Sequence, residues 1–359
     1  MRFFSGEQVA RARSYHRPLY WSAAVDVALA AGLLAALAWT EAGTALDPVS
    51  LPWWARTLAY ASIIVVLFAV LRTPLAYWRG YLRERRFGFS TQSSGAWLID
   101  RLKGVGINLA LLPPLFLALV ALARALPGWW VVPAGAAFAA VVLLLSFLAP
   151  VLLAPLFNRF TPLDREPLRS ELHELARAAG VPVEEVLVED TSRRTRKANA
   201  YVTGLGRTRR LVVSDTLLAD ASPSEVRVVV AHELGHRRMR HVLLGTVLSL
   251  GGAIVTTVAL WALLGTGVAD PHRLPLLLLI PLGLALASGP PANALSRRWE
   301  RKADRFALEL THDRAAYEQT FRRLAATNLA DLDPPRLAYL LLFTHPTPPQ
   351  RLAAATHAG

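Results

Sequence analysis

The chain has 359 residues, of which 53% are hydrophobic and only 18% charged, with a mean hydropathy of +0.35. Soluble domains carry about 25% charged residues, so this composition excludes a disordered chain, a solenoid and a soluble dinucleotide enzyme, and it points to a multi-pass membrane protein. The net charge is +13 and there is no cysteine. In a membrane protein the basic excess reads as Lys and Arg held in cytoplasmic segments, not as a nucleic-acid surface, and disulfides, thiolate nucleophiles and Cys-ligated metals are excluded.

A helical span needs roughly 20 apolar residues. Taken in order, six segments meet that need: Tyr20–Trp39, Leu58–Tyr77, Gly106–Leu122, Val131–Leu153, Val242–Leu264 and Leu274–Leu295. The segments between them alternate in charge. Met1–Arg17, Arg79–Lys103, Asn158–His241 and Arg297 to the end are rich in Arg and Lys; the three short connections on the other side carry only Arg56, Arg124 and Arg273. The positive-inside rule then predicts cytoplasmic termini and a cytoplasmic Asn158–His241 loop. Trp21, Trp39, Trp53, Trp54, Trp78, Trp129 and Trp130 fall near span ends, where interfacial anchors belong. Asp26 is the sole acidic residue inside a span, near its cytoplasmic start, where snorkelling accounts for it.

The Asn158–His241 loop is the one long polar stretch between spans. Its pattern predicts a helix over Asp164–Ala179 ended by Gly180, a strand over Glu185–Glu189, and a hairpin of Ala198–Thr203 with Arg210–Ser214 around Gly204-Leu205-Gly206. Ser222-Pro223-Ser224-Glu225 then opens another helix, with Ser at the N-cap, Pro at N1 and Glu at N3.

That helix contains His232-Glu233-Leu234-Gly235-His236. Residues i and i+4 share a helix face, so both imidazoles can reach one zinc ion, with Glu233 beside them to take a proton from water at the metal. This is the H-E-x-x-H arrangement of zinc peptidases. The longer zincin pattern is absent, because Met239 and Val242 stand where Gly and His would be needed. His241 is expected on a different face, as a structural or interfacial histidine. Beyond the sixth span, Glu300 and Asp304 are again four apart on a predicted helix. One carboxylate could bind zinc while the other orients a ligand histidine. Near the end, His345 and Arg351 flank a Pro-rich loop and could stabilise the oxyanion of an attacked amide.

Together with Pro155–Leu163, Ala198–Gly204 and Val213–Leu218, these motifs stand in the order and spacing of the CAAX prenyl protease 1 family, relatives of the HtpX-type membrane proteases, and the chain resembles that family over nearly its whole length. The resemblance implies His232, His236 and Glu300 as ligands of one zinc ion per chain, Glu233 as general base, and Asp304 as support behind a ligand. It further implies His345 and Arg351 as contacts to the scissile amide, and Asn199, Ala200 and Tyr201 as a strand that pairs with an extended substrate. The number of spans is one fewer than in eukaryotic members.

The expected fold is mainly α: about six transmembrane helices with a small cytoplasmic α+β catalytic domain of gluzincin type. Residues 1–157 would form a four-helix membrane domain, and 158–359 a zinc peptidase domain interrupted by the spans at 242–264 and 274–295. The expected function is an integral membrane zinc endopeptidase acting on protein or peptide substrates, with membrane lipid as its other partner and no nucleic acid. An HtpX-type quality-control protease is the nearest alternative; a metal-binding transporter or a scaffold is the alternative of another class. Residue usage suggests a bacterial inner membrane.

Overall fold

A computed structural model describes residues 3–148, 153–204 and 208–356. Helix α1, Gly6–Trp39, starts at a capping box: Ser5 Oγ accepts from the Gln8 amide, and the Gln8 side chain accepts from the Ser5 amide at 2.8 Å. Its 34 residues span roughly 51 Å, well over the ~30 Å of a bilayer's hydrocarbon. The half carrying Arg11, Arg13 and Arg17 therefore has room to project beyond the apolar half.

The short α2 (Glu41–Leu46) leads to α3 (Trp53–Tyr77), which continues through a π-type turn at Trp78–Leu82 into α4 (Arg83–Arg86). Helices α5 (Ser94–Ala125) and α6 (Val131–Leu148) follow, then the one-turn α7 (Ala154–Phe157). After the polar loop come α11 (His241–Leu264) and α12 (Leu274–Thr311). Among the described residues, five helices are long and apolar enough to cross a membrane: Gly6–Trp39, Trp53–Arg86, Ser94–Ala125, His241–Ala269 and Pro271–Thr311. These contain five of the six expected spans. The remaining one begins as α6, and Ala149–Leu152 lie outside the described residues.

The membrane helices bury one seam, formed by Leu37, Tyr60, Ile64, Val120, Leu260 and Leu274, and leave large apolar residues such as Val70, Val247 and Leu263 exposed. A helix apolar on all sides needs an apolar solvent. Trp21, Trp39, Trp54 and Trp129 are exposed, as anchors should be. Trp130 is fully buried, and its indole N–H donates to Gly265 O at 3.1 Å; it is a packing residue. Asp26 does not snorkel either. Arg72 of α3 grips it through two bonds of 2.7 and 2.6 Å, which neutralises a carboxylate that would be costly to bury alone.

The polar loop forms a four-stranded sheet of β1 (Phe160–Pro162), β2 (Glu185–Glu189), β3 (Ala200–Thr203) and β4 (Arg210–Ser214), in the order β1-β2-β4-β3. Strands β2 and β4 run parallel, and the two outer pairs are antiparallel. Helix α8 (Leu168–Ala178) starts four residues later than its pattern predicts, because Pro167 disfavours helix in the residue before it and the Leu163 amide extends the sheet by donating to Val186 O at 2.9 Å. Gly180, at φ +67°, ends the α8 segment as expected.

Strand β3 begins at Ala200 because Asn328 takes the preceding backbone. The Ala198 amide donates to Asn328 Oδ1 at 2.9 Å, and Asn328 Nδ2 donates to Ala198 O at 3.1 Å. The hairpin leaves β3 at Gly204, where φ is +80° and a Cβ would lie 2.2 Å from Thr208 O; Leu205–Arg207 of the turn are outside the described residues. Leu172, Leu211, Val213, Val226, Val230 and Leu234 form the core between sheet and helices. Helices α9 (Asp215–Asp220), α10 (Pro223–Arg238), α13 (Arg314–Thr327), α14 (Arg336–Leu342) and α15 (Pro348–Thr356) complete the described chain.

Candidate active site

Helix α10 is built as its sequence predicts. Ser222 Oγ accepts from the Glu225 amide, Glu225 returns a bond to the Ser222 amide at 2.8 Å, and Pro223 stands in the first turn. Glu225 is further held by Arg323 at 2.7 Å, so the helix start is tied to α13. Gly235 decides how closely α10 approaches α12: a Cβ there would lie 3.0 Å from the Phe306 ring and 3.4 Å from the Ala303 backbone. That close approach sets the histidines of α10 against the carboxylates of α12.

Helix α12 is the larger departure from expectation. The sixth span and the segment bearing Glu300 and Asp304 are one helix of 38 residues, continuous through Pro281, Pro290 and Pro291. The carboxylates are thus carried on a rigid extension of a membrane helix, not on a separate element.

The acceptor and donor atoms converge. His232 Nε2 and His236 Nε2 are 3.1 Å apart; Glu300 Oε2 lies 3.3 Å from the first and Glu300 Oε1 3.3 Å from the second. His232, His236 and Glu300 form the group able to hold a metal ion among the described residues, with all their donor atoms within 4.8 Å of one another. Glu300 Oε2 is buried and makes no hydrogen bond. A buried carboxylate oxygen without a partner is costly unless a cation takes its lone pair.

Behind the cluster, His232 Nδ1 sits 3.0 Å from Asp304 Oδ1 and 3.2 Å from Arg351 Nη2. Burial alone disfavours charge on His232, but the neighbouring carboxylates of Asp304 and Glu300 outweigh burial and raise its pKa to about 9. A carboxylate lining that holds a proton this firmly attracts a metal cation by the same electrostatics. Arg351 donates from Nε to Asp304 Oδ2 at 2.9 Å, makes a second bond from Nη2 to Oδ1, and stacks 3.8 Å from the Phe321 ring centroid. The Arg351 guanidinium is therefore occupied chiefly by Asp304. Glu233, half-buried beside the cluster, has its carboxyl pushed above the usual range by burial, with His232 and His236 opposing.

His345 Nε2 reaches Glu300 Oε1 at 3.2 Å, its side chain remains 58% exposed, and Thr344 Oγ1 lies 2.8 Å from its Nδ1. The structure thus gathers His232, Glu233, His236, Glu300, Asp304, His345 and Arg351 in one place.

Residues 162–358 match Peptidase family M48, and residues 3–159 match the CAAX prenyl protease N-terminal family, described as having five membrane helices. The chain belongs to peptidase family M48. It is an integral membrane metalloprotease of the CAAX protease type. One family relative, an uncharacterized metalloprotease of Bacillus subtilis, is 33% identical over 84% of this chain and 73% of its own length. CAAX prenyl protease 1 of Saccharomyces cerevisiae is 29% identical over 85% and 73%. The crystal structure of Ste24p from S. mikatae has the same fold: TM-score 0.87 at 23% identity, over 98% of this chain and 90% of that one.

Within this M48 fold, β3 is an edge strand. Asn199 O accepts from the Ser214 amide at 2.9 Å, and Tyr201 faces Val212. Alternation then turns the backbone groups of Ala200 and Val202 away from β4. Arg237 of the metal-site helix donates to Val202 O at 3.1 Å. Ala200 therefore presents its amide and carbonyl on the open edge, with no neighbouring strand among the described residues.

Sequence reasoning missed two features. His241 was expected away from the site, yet its Nδ1 lies 3.1 Å from His236 Nδ1 and its ring stacks on Trp299 at 5.1 Å and 9°. The break between α10 and α11 at Arg240, at φ +57°, turns His241 back toward His236; continuous helical spacing could not show this. Phe321 gave no signal, since an aromatic in an amphipathic helix reads as core.

Proposed function

We propose that this chain is a zinc endopeptidase in which His232, His236 and Glu300 hold the ion and Glu233 is the general base. The orphaned Glu300 Oε2 at the convergence of three donor atoms carries the reading. Zinc bonds of ~2.0–2.1 Å in a tetrahedron separate ligand atoms by about 3.3 Å; the two histidine Nε2 atoms are 3.1 Å apart, and each has one of the two Glu300 carboxylate oxygens 3.3 Å away. The two-nitrogen, one-oxygen donor set suits zinc. When bound, zinc acidifies water and polarises a carbonyl.

The protein's own groups supply the remaining chemistry. Glu233 accepts the proton of the attacking water and passes it to the leaving amine. Its raised pKa brings it nearer that task than an ordinary carboxylate. Asp304 accepts from His232 Nδ1–H and fixes that ring so that Nε2 faces the metal. Arg351 acts through Asp304, clamping the carboxylate. His241 does for His236 what Asp304 does for His232, accepting from Nδ1–H. His345, exposed at the rim, donates to the developing oxyanion once its Nε2 leaves Glu300 for the substrate.

The substrate is an extended polypeptide laid along Asn199, Ala200 and Tyr201, bonding to the outward backbone of Ala200. Prenylated C-terminal segments, the class named for the yeast relative, are the proposed natural substrates. Residues 1–157 act as the membrane domain and 158–359 as the peptidase domain, in keeping with the matches at 3–159 and 162–358. The proposed setting is a bacterial inner membrane with both termini and the active site on the cytoplasmic side, an orientation that the Arg-rich segments support.

The test is Glu233→Gln. Metal analysis of the purified chain should find about one zinc in wild type and Glu233→Gln alike, with peptide cleavage lost by roughly 10²–10⁴-fold in the variant. His232→Ala and Glu300→Ala should lose the metal. Full activity in Glu233→Gln removes the base assignment, and undiminished zinc in both ligand variants removes the metal site.

A further inference from the structure

A second cavity lies among the apolar helices, away from the metal cluster. A cavity of about 260 Å³ opens between α3, α5 and α12, walled by Ile64, Phe68, Leu112, Phe116 and Leu278, with Arg72 and Arg101 at one end. The charges at that end do not balance. Asp26 takes two bonds from Arg72 and a third from Arg79 at 3.3 Å. Arg101 has no carboxylate partner among the described residues; its one bond runs from Nε to Thr73 Oγ1 at 3.4 Å. Three guanidinium groups thus share one carboxylate, a net of two positive charges at the edge of an apolar cavity. Arg101 is half-buried, and a charge at the edge of an apolar cavity without a counter-ion favours an anionic occupant.

The dimensions indicate the occupant. From Arg72 to Ala61, the far lining residue of α3, the helix rises roughly 16 Å, and from Arg101 to Phe116 roughly 22 Å. One leaflet of hydrocarbon is about 15 Å deep. Arg72 stands five residues inside the end of the predicted span Leu58–Tyr77 and Arg101 five residues before Gly106–Leu122, so both lie toward the basic side of the spans, where a lipid headgroup would be. The apolar floor at Leu278 is 22 residues from Glu300 on the same helix, roughly 33 Å, so a chain lying there is remote from the scissile bond.

We propose that this cavity is a binding site for one anionic phospholipid of the bilayer, its phosphate between Arg101 and Arg72 and one acyl chain along the groove lined by α3, α5 and Leu278 of α12. The proposal stands independently of the peptidase site. The lipid offsets the uncompensated charge and covers the apolar groove that α3, α5 and Leu278 line.

To test it, the full chain is reconstituted in equal phosphatidylglycerol and phosphatidylcholine, re-extracted, washed in detergent, and its retained lipid quantified by mass spectrometry. Wild type should retain phosphatidylglycerol in several-fold preference. One arginine near a lipid phosphate is worth about 1 kcal/mol, or roughly five-fold, so Arg101→Gln should cut retention by that factor and Arg101→Lys should restore most of it. Leu112→Trp, which fills the chain's path, should also lower retention with both arginines intact. Arg124→Gln, at the opposite end of the same helix, should change nothing. Equal retention of the two lipids, or wild-type retention in both Arg101→Gln and Leu112→Trp, overturns the proposal. Glycerol phosphate competing as well as the whole lipid would show an anion site without a chain and overturn it as stated.

Discussion

Arg351→Met tests the clamp behind the metal site. The Arg351 side chain is only 11% exposed, doubly bonded to Asp304 and stacked on Phe321. Methionine keeps the stem's apolar contacts and removes the charge, leaving Asp304 to share only His232. Breaking a buried pair from one side costs about 3–5 kcal/mol. For a domain of the size of residues 162–358, each kcal/mol moves Tm by about 2–4 °C, so Arg351→Met should unfold roughly 6–20 °C below wild type. Asp304→Asn alone should also destabilise, since Arg351 then loses its counter-ion. The double variant removes both charges and should recover much of the loss, giving a coupling of at least ~2 kcal/mol, as directly paired groups do. The assay is thermal unfolding of the full chain in detergent with a chelator present, because an ion that binds only the folded state adds stability of its own. Losses that add to within ~0.5 kcal/mol would refute the claim that Arg351 acts through Asp304.

Three further outcomes follow from the same geometry. His241→Ala should weaken metal affinity by roughly 10–100-fold, with His241→Gln, which restores an acceptor, closer to wild type; chelator competition measures it, and unchanged affinity in His241→Ala removes the supporting role. Ala200→Pro deletes an outward amide without breaking a bond to β4, so cleavage of extended peptides should fall while zinc content holds; normal cleavage in a stable protein ends the strand-pairing idea. A reporter fused to the C-terminus should be active on the cytoplasmic side, and activity only on the far side contradicts the six-span topology.

Much of the architecture is legible without coordinates because it follows from local rules. Span positions come from apolar run length against bilayer thickness, and β2 and β4 from the alternation of Glu185–Glu189 and Arg210–Ser214. The start of α10 comes from Ser222, Pro223 and Glu225 acting within one turn. His232, Glu233 and His236 share a turn of helix, so their relation is set by helical geometry alone. Where contacts span long distances, local rules stop. Nothing near Ala198 reveals that Asn328 will replace its strand partner, or that Arg72 will pair with Asp26. Trp130 and Trp129 are identical by sequence rule, yet one is buried and the other exposed, because exposure depends on which neighbours the fold brings.

Glu300 and Asp304 reach the histidines because Gly235 lets α10 lie close against α12. His241 joins them because the chain turns at Arg240. Arg351, by sequence an equal candidate for the oxyanion, is drawn to Asp304 by a nearer and opposite charge. The sequence by itself determined the apolar spans, the strands β2 and β4, the start of α10 and the residue kinds able to hold a metal; only the tertiary structure decided which donors face one another, since His232 and Glu300 are 68 residues apart and Asp304 and Arg351 are 47 apart, and both pairs meet only in three dimensions.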